Sequence, residues 1–417
     1  MSNAVPEGWE IRTLSDLADI DNKSLKNNTD PDYIFRYIDI ASVKTAKVDV
    51  PTEYVSFRES PSRARKRVHK GDVLMSTVRP NLKSFAYFDV QGDDFVASTG
   101  FAVLTANKMS DSNFLYQSIL SDSVTRQIES LVAGSNYPAI SSANVKSLEV
   151  LAPPLPEQQK IATILSSVDD VIEKTRAQID KLKDLKTGMM QELLTKGIGH
   201  TEFKDSPVGR IPAEWEVVTL EQICDPNAPI TYGVLKPGNY VDGGRPLLQI
   251  KDLGEGTILA GGLHLIGDDL DYEYRRSRVQ FGDIVISLVG TIGRTAMIPC
   301  WLNQPNIHRN LGRIRTRHNQ YVFQFLQSES AKLQLGLTSA GSSQSALNLS
   351  ALRQMSLPLP SPDEAQEITK ILSSVDERIK VTTSRLNQLN NVKRALMQDL
   401  LTGKVRVKLT DKESAAV

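Results

Sequence analysis

The segment IATILSSVDDVIEKTRAQIDKLKDLKTGMMQELLT, residues 161–195, carries apolar or tolerated side chains at Ile161, Leu165, Val168, Ile172, Thr175, Ile179, Leu182, Lys186, Met189 and Leu193, in alternating steps of four and three. This is a heptad seam, which suits a helix that keeps one stripe facing a partner helix better than the rival reading of a helix laid along its own globular domain. The stripe returns at Ile368, Leu372, Val375, Ile379, Thr382, Leu386, Leu389, Lys393, Leu396 and Leu400, and its first turns repeat ILSSVD, residues 164–169, as residues 371–376. Start and stop signals agree. Ser361-Pro362-Asp363-Glu364 offers a capping serine, a proline for the first helical position and a carboxylate three residues on, while Gly197 and Gly403 stand just beyond the periodic runs. Two such helices separated by a globular part pair most economically as an antiparallel coiled coil, with a domain at each end and a pseudo-twofold axis. Lys186 and Lys393 hold equivalent seam positions, and two readings stay open for them: their stems snorkel out of the seam, or they fix helix register.

Outward from the helices the whole chain repeats. VPEGWEIRTL at 5–14 returns as IPAEWEVVTL at 211–220, GDVLMS at 71–76 as GDIVIS at 282–287, and MQELLT at 190–195 as MQDLLT at 397–402. Agreement is poor over 20–70 against 226–280, and over 80–110 against 295–318. The frame repeats while parts of its interior do not. β-rich runs predict strands over 73–78, 85–90 and 101–106, and over 284–289 in the second half. Helical periodicity predicts one helix over 113–132 and its counterpart over 321–337. Segments beginning Gly-Ser and ending in prolines, 134–156 and 341–362, lead into the two long helices.

Composition narrows the function. With 417 residues, 40% hydrophobic content and 49 charges of each sign, the chain reads as a multidomain protein whose nucleic-acid surface, if any, is local. The N-terminus lacks a charged and apolar leader pattern, so a cytoplasmic location is expected. Cys224 and Cys300 have no His or Cys partners at ligand spacing, and the five histidines are scattered, so no metal site is expected. Phosphate-loop and dinucleotide motifs are absent; GEGTILAG at 254–261 has the wrong spacing. So is the Asn/Asp-Pro-Pro-aromatic tetrapeptide with which adenine methyltransferases hold a flipped base. No catalytic residues are expected.

Local basic clusters remain. RESPSRARKRVHK, residues 58–70, has six Arg or Lys against one Glu and precedes the strand that opens GDVLMS. YEYRRSRVQ, 272–280, precedes the equivalent strand, and HRNLGRIRTRH, 308–318, adds four arginines. A twofold-repeated basic surface on a rigid spacer suits two separated half-sites on a duplex. A helix of about 33 residues spans roughly 50 Å, against about 34–36 Å for one turn of DNA.

These residues carry a family likeness. LAPPLPEQQKIATILSSVDDVIEKTRAQIDKLKDLKTGMMQELLTKGI at 151–198, followed by GRIPAEWEVVTL at 209–220, closely resembles the DNA-specificity (S) subunit of type I restriction-modification enzymes. The likeness spans the chain; the second helix entry departs from it, reading SPDEAQEITKILSSVD.

The resemblance implies an α+β fold with two mixed α/β target recognition domains in tandem, 1–155 and 199–360. They are followed by conserved spacer helices at 156–198 and 361–404 and a C-terminal tail at 405–417. It further implies a non-catalytic subunit, each domain reading one half of an asymmetric bipartite site in double-stranded DNA. The helices would set the spacing and dock two methyltransferase subunits for adenine-N6 methylation, with restriction-translocase subunits joining for cleavage. S-adenosylmethionine, ATP and Mg²⁺ would sit on those partners, with no cofactor on this chain.

Candidate DNA contacts follow by position: Arg58, Arg63, Arg65, Lys66, Arg67, Arg79, Asn81 and Lys83 in the first domain, and Arg275, Arg276, Arg278, Arg294, Arg309, Asn310, Arg313 and Arg315 in the second. The joining loops add Ser135, Asn136 and Tyr137, then Ser342, Ser343 and Gln344. The rival readings are a stand-alone DNA-modifying enzyme of unrecognised motif, which would turn over S-adenosylmethionine or cut DNA by itself, and a scaffold without DNA specificity.

Overall fold

The computed structural model of the chain describes residues 5–45, 47–132, 138–336 and 346–409. It divides into two compact units, one formed by 1–176 with 384–417 and the other by 177–383. The division falls within both long helices, Leu155–Lys196 and Pro362–Leu400. Each unit therefore holds one globular part together with one end of each helix.

In the first unit an antiparallel four-stranded sheet runs in the order Ala18–Ile20, Phe101–Ala106, Val73–Ser76, Phe85–Tyr87. Its apolar side buries Leu14, Val73, Met75, Ala102, Leu104 and Leu115. A second four-stranded sheet runs Val55–Ser56, Ile34–Ile38, Phe95–Ser98, Ala64–Val68, with its central pair parallel. The strand Glu10–Thr13 closes against Glu149–Ala152, so the first residues of the unit meet the lead-in to the long helix.

The second unit rebuilds that frame. Thr231–Tyr232, Leu311–Ile314, Ile284–Ser287 and Thr295–Met297 form an antiparallel sheet of the same order, and Glu216–Thr219 pairs with Ser356–Leu359. Its second sheet has three strands, His264–Ile266, Arg245–Leu248 and Asn306–Ile307. A hairpin of Phe203–Ser206 and Gly209–Pro212 has no counterpart among the described residues of the first unit. Every strand of the two second sheets lies within the stretches where the sequences of the halves agree poorly.

Several expected bounds change. The strands at Val73–Ser76 and Ile284–Ser287 end two residues early, because Val78 and Val289 leave the ladder to bridge Ala139 and Ala346. The helix expected over 113–132 is two helices, Ser112–Ile119 and Asp122–Val132, and its counterpart is also two, Asn319–Leu326 and Glu329–Gln334. Serine divides them in both units. The Ser121 hydroxyl accepts from the Val124 N–H at 3.3 Å and the Ser328 hydroxyl from the Ala331 N–H at 3.3 Å, restarting a helix after a tight bend.

Every seam position of both long helices is buried or half-buried, and the residues between them are mostly exposed. In the first unit Ile161 and Leu165, near the start of one helix, share a core with Leu400 and Leu401 at the end of the other, together with Trp9 and Phe114. In the second unit Met190 and Leu194, at the end of the first helix, pack with Ala365, Ile368 and Leu372 at the start of the second. Within each unit the pairing is antiparallel, the arrangement expected of two such helices separated by a globular part. Each fully buried Leu or Ile contributes roughly 1.5–3 kcal/mol.

The seam lysines do not snorkel. Lys186 and Lys393 are each 14% exposed at the side chain; Lys186 meets Asp376 at 2.7 Å within the second unit, and Lys393 meets Asp169 at 2.6 Å within the first. Those aspartates are the last residues of the two ILSSVD copies. Gln117 donates to Asp169 at 2.8 Å and Gln324 to Asp376 at 2.9 Å, tying each pair to the globular part beside it. At the helix entries the Trp9 indole donates to Glu157 at 3.2 Å and the Trp215 indole to Glu364 at 2.8 Å. Arg406 completes the first of these clusters and His200 the second.

Candidate nucleic-acid interface

Strand geometry sorts the candidate cations. The strand Ala64–Val68 alternates strictly: Ala64, Lys66 and Val68 are buried while Arg65 and Arg67 stand half-exposed on the opposite face. Arg65 lies over the Phe57 ring at 4.7 Å and Arg67 over the Tyr33 ring at 5.3 Å. Arg65 Nη1 also donates to the Ala64 carbonyl at 3.2 Å, and stacking on one face leaves the remaining edge donors of both guanidiniums for phosphate or base oxygens. Among the described residues Arg63, Arg79, Asn81, Arg276 and Arg309 are exposed, with no side-chain hydrogen bond or ion pair. Arg58 is exposed beside Asp32 at 2.8 Å, and Arg275 lies over Tyr272 at 4.7 Å. Arg294 donates to the Leu253 carbonyl at 3.2 Å and Lys83 to the Leu120 carbonyl at 3.3 Å.

Four cations expected at the surface serve the fold instead. Lys66, 8% exposed, places its ammonium 2.7 Å from Asp21 and also on the Phe101 carbonyl. Arg313, 3% exposed, donates to the carbonyls of Pro229 at 2.9 Å and Arg278 at 3.2 Å. Burial pushes its pKa down, against its usual very high value. Arg315 grips Asp283 at 2.7 and 2.6 Å, and Arg278 grips the buried Asp271; both guanidiniums are held protonated more firmly by those hydrogen bonds. These side chains close loops against strands. Asn310 is half-buried, its carbonyl accepting from the Leu288 N–H at 2.8 Å. Ser135, Asn136, Tyr137, Ser342, Ser343 and Gln344 lie outside the described residues.

The structure adds cations that a count of charge along the sequence passes over. Segment 22–26 runs beside the strand Ala64–Val68, the Leu25 N–H donating to the Arg65 carbonyl at 2.7 Å and the Arg67 N–H to the Lys23 carbonyl at 2.9 Å. Exposed Lys23 and Lys26 thereby border one shallow recess with Asn22, Asn28, Arg67 and His69. The signal was present in NKSLKN at 22–27, two lysines among three asparagines or serines. It is a polar, cationic concavity suited to a nucleic-acid backbone. Among the described residues no group of three or more His, Cys, Asp and Glu is placed to hold a metal ion, and no helix is long and apolar enough to cross a membrane.

Comparison with known proteins bears on the whole chain. The family model for the type I restriction modification DNA specificity domain matches twice, over residues 6–184 and 212–391. The chain is 28% identical over 416 residues to the type I restriction enzyme MjaVIII specificity subunit of Methanocaldococcus jannaschii, covering 97% of this chain and 94% of that one. It is 26% identical over 286 residues to the EcoBI specificity subunit of Escherichia coli, covering 64% of this chain and 60% of that one. Among solved structures it is similar to the type I restriction-modification S subunit from M. genitalium, with a TM-score of 0.57 at 14% identity and 98% coverage of both chains. A chain from a study of complex assembly and conformational transition of the type I R-M system gives a TM-score of 0.56 at 22% identity, covering 96% of this chain and 100% of that one.

Proposed function

The chain belongs to the type I restriction modification DNA specificity family, and from that membership we propose that its two domains each read one half of an asymmetric bipartite site in double-stranded DNA. It is a specificity subunit, the recognition component and not the catalyst. The observation that carries the bipartite reading is the uneven way in which the repeat recurs. The helix seam, the four-stranded sheet and the tryptophan-to-glutamate contact return in both units, while the second sheet changes from four strands to three and its basic side chains change with it. Two copies that hold common partners yet read different bases need such a division.

On this reading the paired helices set the half-site spacing and dock two methyltransferase subunits, which bring S-adenosylmethionine for adenine-N6 methylation. Restriction-translocase subunits supply ATP- and Mg²⁺-dependent cleavage. Arg65 and Arg67, stacked on aromatic rings, and the Lys23/Lys26 recess supply contacts in the first domain; Arg275, Arg276 and Arg309 supply them in the second. The test is to sequence modified adenines in a host carrying this chain with its methyltransferase partner. The expected result is a motif in two parts with an unread spacer. A single uninterrupted motif would sink the two-domain reading, and turnover of S-adenosylmethionine or cutting of DNA by the chain alone would sink its role as a recognition subunit.

A further inference from the structure

We propose that Arg79 reads a guanine edge in the half-site of the first domain, from a backbone position that the second unit fills with glycine. The inference rests on the DNA-reading role of the two domains.

The turn that leaves the central strand starts alike in both units, with a left-handed residue directly after the bridging valine. In the second unit Val289 bridges Ala346, and the turn that follows places Gly290 at φ +68° and Gly293 at φ +80° before the strand Thr295–Met297. In the first unit Val78 bridges Ala139, and the turn places Arg79 at φ +49° and Lys83 at φ +51° before the strand Phe85–Tyr87. Left-handed backbone is free for glycine and strained for a residue with a Cβ. Among the described residues four non-glycine residues have positive φ, and two of them bracket this one turn.

Lys83 has a use within the fold, since its ammonium donates to the Leu120 carbonyl at 3.3 Å. Arg79 has none of that kind. Its N–H donates to the Pro138 carbonyl at 2.7 Å, a bond that any residue but proline supplies, while its side chain is exposed and makes no hydrogen bond or ion pair among the described residues. Buried Pro80 follows it in the turn, and then come exposed Asn81 and Leu82, the latter 61% exposed. An arginine kept in a strained conformation that the folded protein does not need is one whose partner is external.

The second unit shows what kind of partner. Space does not exclude a side chain at Gly290, where an added Cβ would meet its nearest neighbour, Ile250 Cδ1, at 4.0 Å. A phosphate contact would serve both copies of the frame alike, because every duplex presents phosphates. A base contact serves only the domain whose half-site carries that base, and the guanidinium fork matches guanine O6 and N7.

The experiment uses the complex of this chain with its methyltransferase partner, the cognate duplex found by adenine mapping and a scrambled duplex of equal length at the same salt. Arg79→Gly should weaken cognate binding by roughly 10–100-fold, leave scrambled binding within about twofold, and raise the unfolding midpoint by about 2–4 °C as the strain is released. Arg79→Ala should lose the same affinity without gaining stability. Equal losses on both duplexes would make Arg79 a phosphate contact, unchanged cognate affinity would give it no DNA role, and a lowered midpoint for Arg79→Gly would make it a structural residue; each overturns the proposal. A wild-type complex that fails to distinguish the two duplexes would instead bring down the specificity reading beneath it.

Discussion

Asp21 and Lys66 show how a basic cluster divides between folding and binding. Asp21 accepts from the Lys66 ammonium at 2.7 Å, the Val103 N–H at 2.9 Å and the Ser142 hydroxyl at 2.7 Å, and its own backbone is left-handed at φ +59°. Removing one partner of a buried, hydrogen-bonded pair leaves the other charge desolvated. Lys66→Met should therefore destabilise the first unit by about 3–5 kcal/mol, read as a lower midpoint in urea. Arg65→Ala on the opposite face should move stability by no more than about 0.5 kcal/mol while weakening DNA binding. A neutral Lys66→Met would refute the division. The division was readable in the alternation of Ala64, Lys66 and Val68 with Arg65 and Arg67. Counting charges along RESPSRARKRVHK hides it, because density says nothing about which face of a strand a side chain takes. Arg313 and Arg315 were less legible, since their carbonyl and carboxylate partners come from segments distant in sequence.

At the scale of the element, the long helices were the most legible part of the chain, because a heptad seam is a local pattern with a single geometric solution. What the pattern withheld was the role of its polar interruptions. A slip of one heptad would set Lys393 against Ala162 or Arg176 in place of Asp169, and Lys186 against Thr369 or Thr383 in place of Asp376. Each slip loses a half-buried ion pair, and one of them adds like-charge repulsion. We therefore expect the pairs to select register more than they add stability, since much of their attraction offsets desolvation. A double-mutant cycle on Lys393→Leu and Asp169→Leu should return a coupling of about 0.5–3 kcal/mol, and disulfide trapping across the helices should detect shifted registers in the chain carrying both Lys186→Leu and Lys393→Leu. Zero coupling together with an unchanged trapping pattern would leave the lysines as tolerated fillers. The breaks at Ser121 and Ser328 escaped the periodicity because the apolar spacing carries across a short bend, and only the capping serine announces it.

For the whole molecule, the tandem organisation could be read because the repeated frame keeps its tryptophans, its Gly-Asp turns and its seam in step. The second sheets could not, because they are the parts in which the two copies no longer predict each other. Charge has the same two-level character. Lys and Arg balance Asp and Glu at 49 each, so no net attraction draws the chain to a polyanion, and affinity must come from patches such as Lys23, Lys26 and Arg67. A patch that only neutralises phosphates has a signature distinct from that of Arg79. Replacing Lys23, Lys26 and Arg67 together by Ala should weaken binding of the assembled complex to cognate and scrambled duplexes alike, and should flatten the slope of log affinity against log salt by about 0.9 for each phosphate no longer neutralised. An unchanged slope would remove the recess from the interface. A weakening confined to the cognate duplex would turn it from a phosphate cradle into part of the sequence-reading surface, in keeping with its place in a stretch where the two halves diverge.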